Sequence, residues 1–367
     1  MKVIVACGGT GGHSFPGLAV ASELVRRGHE VSVWNSGRDI ESRVLSGWSG
    51  PTFATYAKQL RPRNAFALVR SIWRCRREMR KSRPDALLAM GSYSSLPPVL
   101  AARAYGVPVV LHEANTVPGR AVDYLSRYAK RVAISFEMTA KYLKNVPTEL
   151  TGLPVRSEIA RGSRFDFIPN DSFTVFVTGG SQGAHAVNTL AVEAIRLLAA
   201  ELARRGETAK RRLYVIHQTG EKDEVEVTEA YSSAHVPARV HAFEREMASA
   251  FASADVVVAR AGASTCFELA ACAKPAMLIP LPTALRDHQH FNAEAFAERG
   301  AAAEAKQSML SPHQLFRFLL GLYDDPGRLA RMAEKMRELA TPDAAERVAD
   351  MIEAAAGAAP AKTTEGH

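Results

Sequence analysis

The sequence predicts an α/β protein made of two domains, each built on a parallel sheet. Short apolar runs alternate with longer amphipathic stretches along the chain, which is the pattern of βαβ units. A glycine-rich segment follows an apolar run at the start of each half. With 367 residues, 47% of them hydrophobic, the chain can bury two sizeable cores.

The predicted strands fall into two sets separated by a polar segment without periodicity. The first set is Lys2–Cys7, Glu30–Trp34, Thr52–Tyr56, Asp85–Met90, Pro108–His112 and Arg131–Ser135. The second set is Phe173–Thr178, Leu213–His217, Arg239–Ala242, Asp255–Ala259 and Ala276–Pro280. We therefore expect domains at 1–156 and 173–340, a linker at 157–172, and a C-terminal helix and tail at 341–367. The small and polar residues of Ala354–His367 predict that this tail is disordered.

The charge balance favours a phosphate-rich partner. Lysine and arginine total 46 against 38 acidic residues, a formal net charge of +8. No nucleic-acid module is recognisable, so we expect no nucleic-acid partner. The 4 cysteines lack CxxC spacing and disulfide density, which indicates a reducing compartment and small buried side chains. No apolar run approaches the roughly 20 residues of a membrane span, so we expect membrane association to be peripheral.

The first glycine-rich loop, Gly8–His13, follows the first predicted strand and precedes a predicted helix. Glycines allow close approach to a ligand, and the N–H groups of a helix N-terminus bind anions. A dinucleotide fingerprint would need glycine at position 14, where Ser14 stands, and no Walker motif is present. A plain βα turn explains one or two glycines, but not four around Thr10. We therefore expect a ligand loop that does not serve a nicotinamide or flavin.

Two further segments of the second half combine a strand end with a helix start. Gly179–Ala184 repeats the first arrangement with Ser181 at its centre, and we expect the two loops to face each other across a cleft. In Arg260–Thr265 the backbone and two hydroxyls can hold a diphosphate, and Glu268 suits a ribose diol. A helix capping box is the alternative interpretation of this segment.

Polar residues follow other predicted strands as well. His112, Glu113 and Asn115 lie at the carboxyl end of a strand, where open α/β sheets bind ligands. Asp287–Asn292 follows the last predicted strand, and a charged surface helix is its alternative interpretation.

Seven segments, in order along nearly the whole chain, resemble the bacterial MurG family of N-acetylglucosaminyltransferases. They are GGTGGHSFPGLAVA (8–21), MGSYSSLPP (90–98), LHEANTVPG (111–119), TGLPVR (151–156), GGSQGA (179–184), RAGASTCFELA (260–270) and PLPTALRDHQHFNA (280–293). The resemblance implies a GT-B fold, in which the parallel sheets of two Rossmann-like domains face each other across a cleft. The C-terminal domain is then the main donor site, and the acceptor approaches the N-terminal domain.

The resemblance also implies the reaction. It is an inverting transfer of N-acetylglucosamine from UDP-GlcNAc to the C4 hydroxyl of the muramyl sugar of lipid I, which gives lipid II for peptidoglycan. UDP-GlcNAc is a substrate rather than a cofactor, and no metal is obligatory; no DxD motif was found. The implied partners are the undecaprenyl-linked lipid I, an anionic membrane surface and other cell-wall enzymes. The implied location is the cytoplasmic face of the bacterial inner membrane.

Individual site residues follow from the matched motifs. The implied donor contacts are Thr10, Gly11, Gly12, Asn115, Arg156, Ser181, Glu244, Ala263, Ser264, Thr265, Cys266, Phe267, Glu268, His288 and Gln289. Thr265 is expected on phosphate, Glu268 on ribose and Gln289 on sugar hydroxyls. Arg156 is expected to stabilise the leaving group. The implied acceptor loop is Gly91, Ser92, Tyr93 and Ser94.

His13 is the candidate base, because an imidazole titrates near neutral pH. An orienting or phosphate-binding role is its alternative, and Glu113 and His112 are the alternative bases. The chain departs from the family pattern at Ser92 (usually glycine), Ala114 (glutamine), Leu153 (asparagine) and Glu244 (aliphatic). At Glu244 we expect a backbone N–H contact to uracil to survive the change.

A basic amphipathic segment, 68–81, is the candidate membrane anchor. Leu68, Ile72, Cys75 and Met79 form one helical stripe, with Trp73 beside it and arginines around it. Packing of this stripe on the domain's own sheet is the alternative.

Three rival functions share the same features. They are another GT-B glycosyltransferase, a UDP-N-acetylglucosamine 2-epimerase, and a non-catalytic nucleotide-binding protein. The last of these does not explain the three glycine-rich loops.

Overall fold

A computed structural model describes residues 1–9, 11–38, 41, 45, 47–59, 64–180, 182–206 and 211–357. The chain folds into two compact units. The first is Met1–Arg156 together with the C-terminal segment that begins at Thr341, and the second is Ser157–Ala340. Each unit contains a parallel sheet, so the predicted α/β class with two Rossmann-like domains is confirmed.

In the described part of the first unit, seven parallel strands form one sheet in the order β3-β2-β1-β4-β5-β6-β7. They are β1 (Lys2–Ala6), β2 (Glu30–Asn35), β3 (Thr52–Ala54), β4 (Ala86–Ala89), β5 (Val109–Glu113), β6 (Arg131–Ile134) and β7 (Thr148–Leu150). The helices between them are α1 (Gly11–Arg26), α2 (Ala65–Ser82), α3 (Leu96–Ala104) and α4 (Arg120–Leu125).

The described residues of the second unit form a six-stranded parallel sheet in the order β10-β9-β8-β11-β12-β13. Its strands are β8 (Ser172–Thr178), β9 (Arg212–Gln218), β10 (Ala238–His241), β11 (Val256–Ala259), β12 (Ala276–Leu278) and β13 (Ala302–Glu304). Its helices are α5 (His185–Arg205), α6 (Glu224–Ser233), α7 (Met247–Ser253), α8 (Ala263–Ala271), α9 (His288–Ala297), α10 (Pro312–Asp324) and α11 (Pro326–Glu338).

Both faces of each sheet are buried, as the continuous apolar runs of the strands require. Along β1, Val3 and Val5 pack with Leu24 of α1, whereas Ile4 on the opposite face packs with Cys75 of α2. In the second unit, β8 packs against α5 and α10 through clusters of fully buried aliphatic and aromatic side chains. This packing fixes the strand ends, and it therefore also fixes where the loops that follow them begin.

The last helix, α12 (Ala344–Ala356), belongs to the first unit. Val348 and Ile352 are fully buried in the same cluster as Val3 and Leu24. Arg27 bonds Glu353 at 3.1 Å and also reaches Asp350. The tail predicted from Ala354 is therefore wrong for Ala354–Ala356, because those residues complete a packed helix. Residues 358–367 lie outside the described residues.

The segment 157–172 also differs from the linker predicted there. Ile159, Phe165 and Ile168 are buried, and Arg164 donates to the carbonyl of Ser253 at 2.9 Å. The segment is mostly polar, so the sequence pattern did not indicate that a few of its apolar side chains pack within the second unit. Two three-residue strands, β7 and β13, were not predicted, because each is short and carries a glutamate.

The described helices include none long and apolar enough to cross a membrane. All four cysteines are free thiols, and Cys7, Cys75 and Cys266 are buried as predicted.

Candidate active site

The candidate ligand loops lie at the switch point of each sheet, where the strand order reverses. In the first unit β1 lies between β2 and β4, and in the second β8 lies between β9 and β11. Connections leave such neighbouring strands toward opposite faces, which opens a crevice at their carboxyl ends. The loops after β1 and β4 flank the first crevice, and the loops after β8 and β11 flank the second. Four segments singled out in the sequence thus form two sites, one in each unit.

The loop after β1 is held by a buried carboxylate that sequence analysis missed. Glu41 accepts from the N–H of Gly9 at 2.5 Å and from the N–H of Ser36 at 2.8 Å. Gly9 has φ +116°, and a Cβ there would lie 2.5 Å from the Ser92 hydroxyl oxygen. Only glycine fits this approach between the two loops. Thr10 lies outside the described residues; Gly11 and Gly12 begin α1 and remain predicted ligand contacts.

Ser14, which breaks the dinucleotide fingerprint, has a structural role. Its hydroxyl donates to the carbonyl of Cys7 at 2.7 Å and is buried. This bond ties the first turn of α1 to the end of β1.

The loop after β4 contacts the loop after β1. The Ser94 hydroxyl donates to the carbonyl of Gly8 at 2.6 Å, and the Ser95 hydroxyl donates to the carbonyl of Gly91. Ser92 has φ +67° and ψ 165°, a region that is essentially restricted to glycine. The departure from the family's usual glycine at this position therefore introduces backbone strain next to the site.

His13 lies in the first turn of α1, partly exposed, beside the loop after β4. A Cβ on Gly91 would lie 3.7 Å from its ring. This position at the switch point keeps His13 as the candidate base.

His112 is corrected from an alternative base to a structural residue. It is 0% exposed, and its Nε2 lies 3.2 Å from the carbonyl of Gly152, which can only accept a hydrogen bond. Burial lowers the pKa of His112 to about 4, so the ring is neutral at physiological pH. Both of its ring nitrogens are buried.

Glu113 is likewise a poor base, because both of its oxygens are already bonded. Its Oε1 accepts from the N–H of Asn115 at 2.9 Å, and its Oε2 accepts from the N–H of Gly119 at 2.9 Å. Burial raises the pKa of Glu113, and these hydrogen bonds offset the increase only in part. The carboxyl group shapes the loop that presents Asn115, so Glu113 is a positioning residue.

Arg156 packs on Phe15 of α1, which lies two residues after His13. Its guanidinium lies 4.0 Å from the centre of the Phe15 ring, a cation–π contact. A positive charge is thereby held against the N-terminal part of α1, where developing negative charge would be stabilised.

In the second unit, Gln218 joins two segments that the sequence linked only by family resemblance. Its amide nitrogen donates to the carbonyl of Gly180 at 2.8 Å, and its amide oxygen accepts from the N–H of Glu244 at 3.1 Å. Gln218 ends β9, beside the switch point, and it is buried. Sequence analysis missed it because a single glutamine at a strand end carries no motif. Ser181 lies outside the described residues.

The expected uracil contact of Glu244 needs correction. Its N–H is bonded to Gln218, and its buried side chain pairs with Arg239 at 2.9 Å. Burial alone would raise the pKa of Glu244, but Arg239 and the N–H of Glu246 outweigh it and hold that pKa below its usual range. Glu244 thus stabilises the turn after β10.

The segment after β11 forms a helix start suited to an anion. Gly262 is the N-cap of α8 and makes no side-chain cap bond, so the alternative of a Ser264–Glu268 capping box is wrong. Ser264, Thr265 and Glu268 are partly exposed. The N–H groups of the first turn precede the first helical hydrogen bond, and they can bind negative charge.

Three predicted contacts in this segment face the core instead. Ala263, Cys266 and Phe267 are buried, and the N–H of Cys266 donates to the carbonyl of Gly262 at 3.0 Å. Burial raises the pKa of Cys266 to about 12. Their side chains pack toward the core, and the N–H of Cys266 is already bonded, whereas the N–H of Ala263 belongs to the first turn of α8.

The loop between β12 and α9 is exposed and partly ordered by its own polar groups. Gln289 accepts from the N–H of Leu281 at 3.0 Å, which leaves its amide NH₂ to donate. His288 lies 2.8 Å from the carbonyl of Leu285. His290 bonds Glu304, so it supports β13 rather than a ligand.

Both parts of the chain match models of one family. Residues 3–134 match the glycosyltransferase family 28 N-terminal domain, and residues 174–348 match the glycosyltransferase family 28 C-terminal domain. A relative from Geobacter metallireducens is 38% identical over 95% of this chain and 97% of its own length. Its name is UDP-N-acetylglucosamine--N-acetylmuramyl-(pentapeptide) pyrophosphoryl-undecaprenol N-acetylglucosamine transferase. The chain belongs to the MurG family.

Other relatives agree with this membership. A protein of the same name from Myxococcus xanthus is 36% identical, covering 96% of this chain and 92% of its own. The crystal structure of Acinetobacter baumannii MurG matches with a TM-score of 0.76 at 31% identity, covering 96% of this chain and 99% of its own. A UDP-N-acetylglucosamine 2-epimerase structure matches with a TM-score of 0.73 at 14% identity, covering 97% of each chain, which shows a shared fold alone.

One group in the described residues has the spacing of a metal site, although the MurG resemblance implies no obligatory metal. The ligand atoms of His185, Asp223 and Glu226 lie within 4.8 Å of one another. Asp223 is also bonded by His185 at 3.1 Å and by Asn188 at 2.7 Å. These bonds give the Asp223 carboxylate hydrogen-bond partners without a bound metal ion.

Replacing Ser92 with glycine should stabilise the chain. A residue other than glycine loses roughly 1–3 kcal/mol of stability in this backbone region. Glycine avoids this loss, but its larger conformational entropy in the unfolded state offsets part of the gain. We expect a net gain of about 1 kcal/mol, measured as a higher thermal unfolding midpoint. Ser92→Ala is the control, because it keeps the Cβ and should give no gain. An equal gain for both variants would assign the effect to the hydroxyl instead.

Replacing Gln218 with methionine should destabilise the second unit. The Gly180 carbonyl and the Glu244 N–H would each lose a partner, at about 1–3 kcal/mol per buried group. Thermal unfolding should therefore shift down by the equivalent of about 2 kcal/mol. Gln182→Met, at an exposed glutamine of the adjacent glycine-rich loop, should change stability by less than about 0.5 kcal/mol. Equal shifts would contradict the bridging role.

Proposed function

We propose that this enzyme transfers N-acetylglucosamine from UDP-GlcNAc to the C4 hydroxyl of the muramyl sugar of lipid I, giving lipid II. The relatives carry this activity in their name, and the two switch-point sites supply the groups it needs. The observation that carries the proposal is the start of α8, where partly exposed Ser264, Thr265 and Glu268 surround first-turn N–H groups.

The donor binds to the second unit in this proposal. The first turn of α8 and the Thr265 hydroxyl hold the diphosphate, because the helix N-terminus favours negative charge. Glu268 accepts from the ribose hydroxyls, and the Gln289 amide donates to the sugar. His288 and the loop containing Ser181 complete the donor contacts.

The first unit supplies the acceptor loops and the base. His13 removes the proton of the muramyl C4 hydroxyl while its oxygen bonds to the anomeric carbon of the donor. The bond from that carbon to the diphosphate breaks, UDP leaves with the electron pair, and the anomeric configuration inverts. Gly91 to Ser94 shape the acceptor side of this site.

Charge on the departing UDP is stabilised by the α8 N-terminus and by Arg156, so the reaction needs no metal. Activity should therefore persist in the presence of EDTA.

The decisive test is a transfer assay with radiolabelled UDP-GlcNAc and a lipid I analogue. Transfer of the label to the analogue supports the proposal. Conversion of the donor in the absence of an acceptor would identify an epimerase. Transfer only to unrelated alcohols would identify another glycosyltransferase. Absence of UDP binding in calorimetry would reject every sugar-nucleotide function.

Replacing His13 with alanine should lower kcat with little change in the KM for the donor. A positioned general base contributes about 10²–10⁴-fold, so we expect a loss in that range at saturating substrates. His13→Gln, which keeps a polar group without a titratable nitrogen, should be equally slow. Near-normal turnover of either variant would remove His13 as the base.

The face of α2 that we propose as the membrane anchor differs from the stripe predicted from the sequence. Cys75 and Met79 of the predicted stripe are buried in the domain core and Leu68 packs against it, so the alternative of packing on the domain's own sheet holds for the stripe. Phe66, Val69 and Trp73 are instead 80%, 64% and 62% exposed. They share one helical face, because helix positions three, four and seven apart align.

This exposed face is bordered by arginines, as in a helix that lies on an anionic membrane. Arg70, Arg77 and Arg80 are exposed on the same side, and the Arg77 guanidinium lies 5.8 Å from the Trp73 ring. We propose that this face binds the cytoplasmic leaflet that carries lipid I. Other cell-wall enzymes are proposed partners at the same membrane.

Changing Arg70, Arg77 and Arg80 to glutamate should weaken binding to anionic liposomes at least tenfold. Each basic residue near such a surface contributes about 1 kcal/mol. Arg74 is left unchanged, because its Nε donates to the Ala54 carbonyl at 2.8 Å. Sedimentation with phosphatidylglycerol vesicles measures the effect.

The matched control changes Arg245, Arg317 and Arg337, exposed in the second unit, to glutamate. It alters net charge by the same amount and should retain binding. Equal losses in both triple variants would show that net charge alone drives association.

A further inference from the structure

A cavity in the first unit is lined by Tyr93 of the acceptor loop, and its other lining residues are not used by the mechanism above. Its volume is about 400 Å³, within the roughly 300–1,000 Å³ of small-molecule sites. Ser36–Arg38, just after β2, form one wall, and Tyr56–Gln59, just after β3, form another. Tyr93 of the loop after β4, which is the acceptor loop, completes the lining.

The described residues that line this cavity include two cationic side chains. Arg38 and Lys58 line it, and none of its described lining residues is acidic. Within the described part of the chain, neither cation lies within 4.0 Å of a carboxylate oxygen. The nearby carboxylate of Glu41 is buried and accepts from the N–H groups of Gly9, Ser36 and Arg38. The cavity therefore presents two cations to an anionic ligand.

Arg38 connects the cavity to the reaction site. One guanidinium nitrogen donates to the carbonyl of Gly9 at 3.1 Å, and its Cζ lies 5.5 Å from the centre of the Tyr93 ring. Four of the five N–H donors of a guanidinium remain after one such bond. A ligand held by Arg38 thus adjoins the glycine loop that leads to His13.

The backbone of Tyr56, which forms part of one wall, is strained. Tyr56 has φ +56°, uncommon for a bulky residue, and a Cβ on Gly37 would lie 2.9 Å from its ring. The Arg74 guanidinium lies 5.0 Å from the same ring. Residues in such sparsely populated backbone regions cluster at ligand sites, which supports a binding role for this wall.

The remaining lining groups suit amides better than a bare phosphate. Gln59 and Asn64 carry side-chain amides, and Asn64 donates to the Gln59 carbonyl at 2.7 Å. Together with the hydroxyl of Tyr93, they offer donors and acceptors for peptide groups. A peptide that bears carboxylates matches both the amides and the cations of the cavity.

We propose that this cavity binds the peptide stem of the acceptor and recognises its carboxylates through Lys58 and Arg38. The inference rests on the proposed function. The stem is attached through the lactyl ether at C3 of the muramyl sugar, next to the C4 hydroxyl that reacts. A stem site must therefore adjoin the base, and the cavity adjoins the loop that carries it.

The test compares three acceptors with the Lys58→Gln variant. They are a lipid I analogue with the full pentapeptide, the same analogue with its stem carboxylates amidated, and an analogue with only the lactyl amide. Lys58→Gln should raise the KM for the full-stem acceptor about three- to tenfold. It should change the KM for the other two acceptors less than twofold. Its kcat and donor KM should stay unchanged.

Lys58 is chosen because it is exposed and makes no bond to the glycine loop. Arg38→Gln should raise the same KM but also lower kcat, because it loses the Gly9 contact. Lys144→Gln, an exposed lysine elsewhere in the first unit, is the matched control and should behave like the native chain. Unchanged thermal unfolding of each variant verifies folding.

Equal KM changes for all three acceptors would overturn the proposal, because they would assign the cations to the pyrophosphate common to all. An unchanged KM for the full-stem acceptor would also overturn it. If the native chain transfers to none of these acceptors, the proposed function itself fails, which is a different outcome.

Discussion

The reversal of strand order in each parallel sheet is the constraint on which every candidate site depends. Because β1 is flanked by β2 and β4, and β8 by β9 and β11, consecutive connections diverge and leave the strand ends open. Glycine-rich turns and helix N-termini then meet at one edge of each sheet. The same edge of the first sheet also carries the cavity beside Arg38, so the candidate base and the proposed stem site share one scaffold.

Buried polar side chains give these open edges a fixed shape. Glu41 bonds the loop after β1, Glu113 bonds the loop after β5, and Gln218 bonds the loop after β8. A buried polar group without a partner costs about 1–3 kcal/mol, so each bond holds its loop in one arrangement. The groups that stabilise these loops are therefore also the groups that fix the shape of the candidate sites.

The sequence predicted the features that depend on local pattern. The alternation of apolar runs predicted eleven of the thirteen described strands, and the glycines and strand ends predicted the switch-point loops. It did not predict features that depend on distant partners. Glu41 and Gln218 have no motif, the burial of His112 depends on Gly152, and α12 packs on a strand more than 300 residues away. For α2 the sequence predicted the helical period but left two roles open for its apolar stripe. The structure buries Cys75 and Met79 of that stripe, and Phe66 and Val69 lie exposed outside it.

The position of α12 also affects how the protein is made. Val348 and Ile352 complete a core whose other side chains, including Val3 and Leu24, leave the ribosome first. About 190 residues separate Arg156 from that helix, so translation at roughly 5–20 residues per second delays completion by about 10–40 s. During that interval the part of the core that α12 covers is exposed to chaperones and to other nascent chains. The amino-terminal unit is thus the first to emerge and the last to be finished.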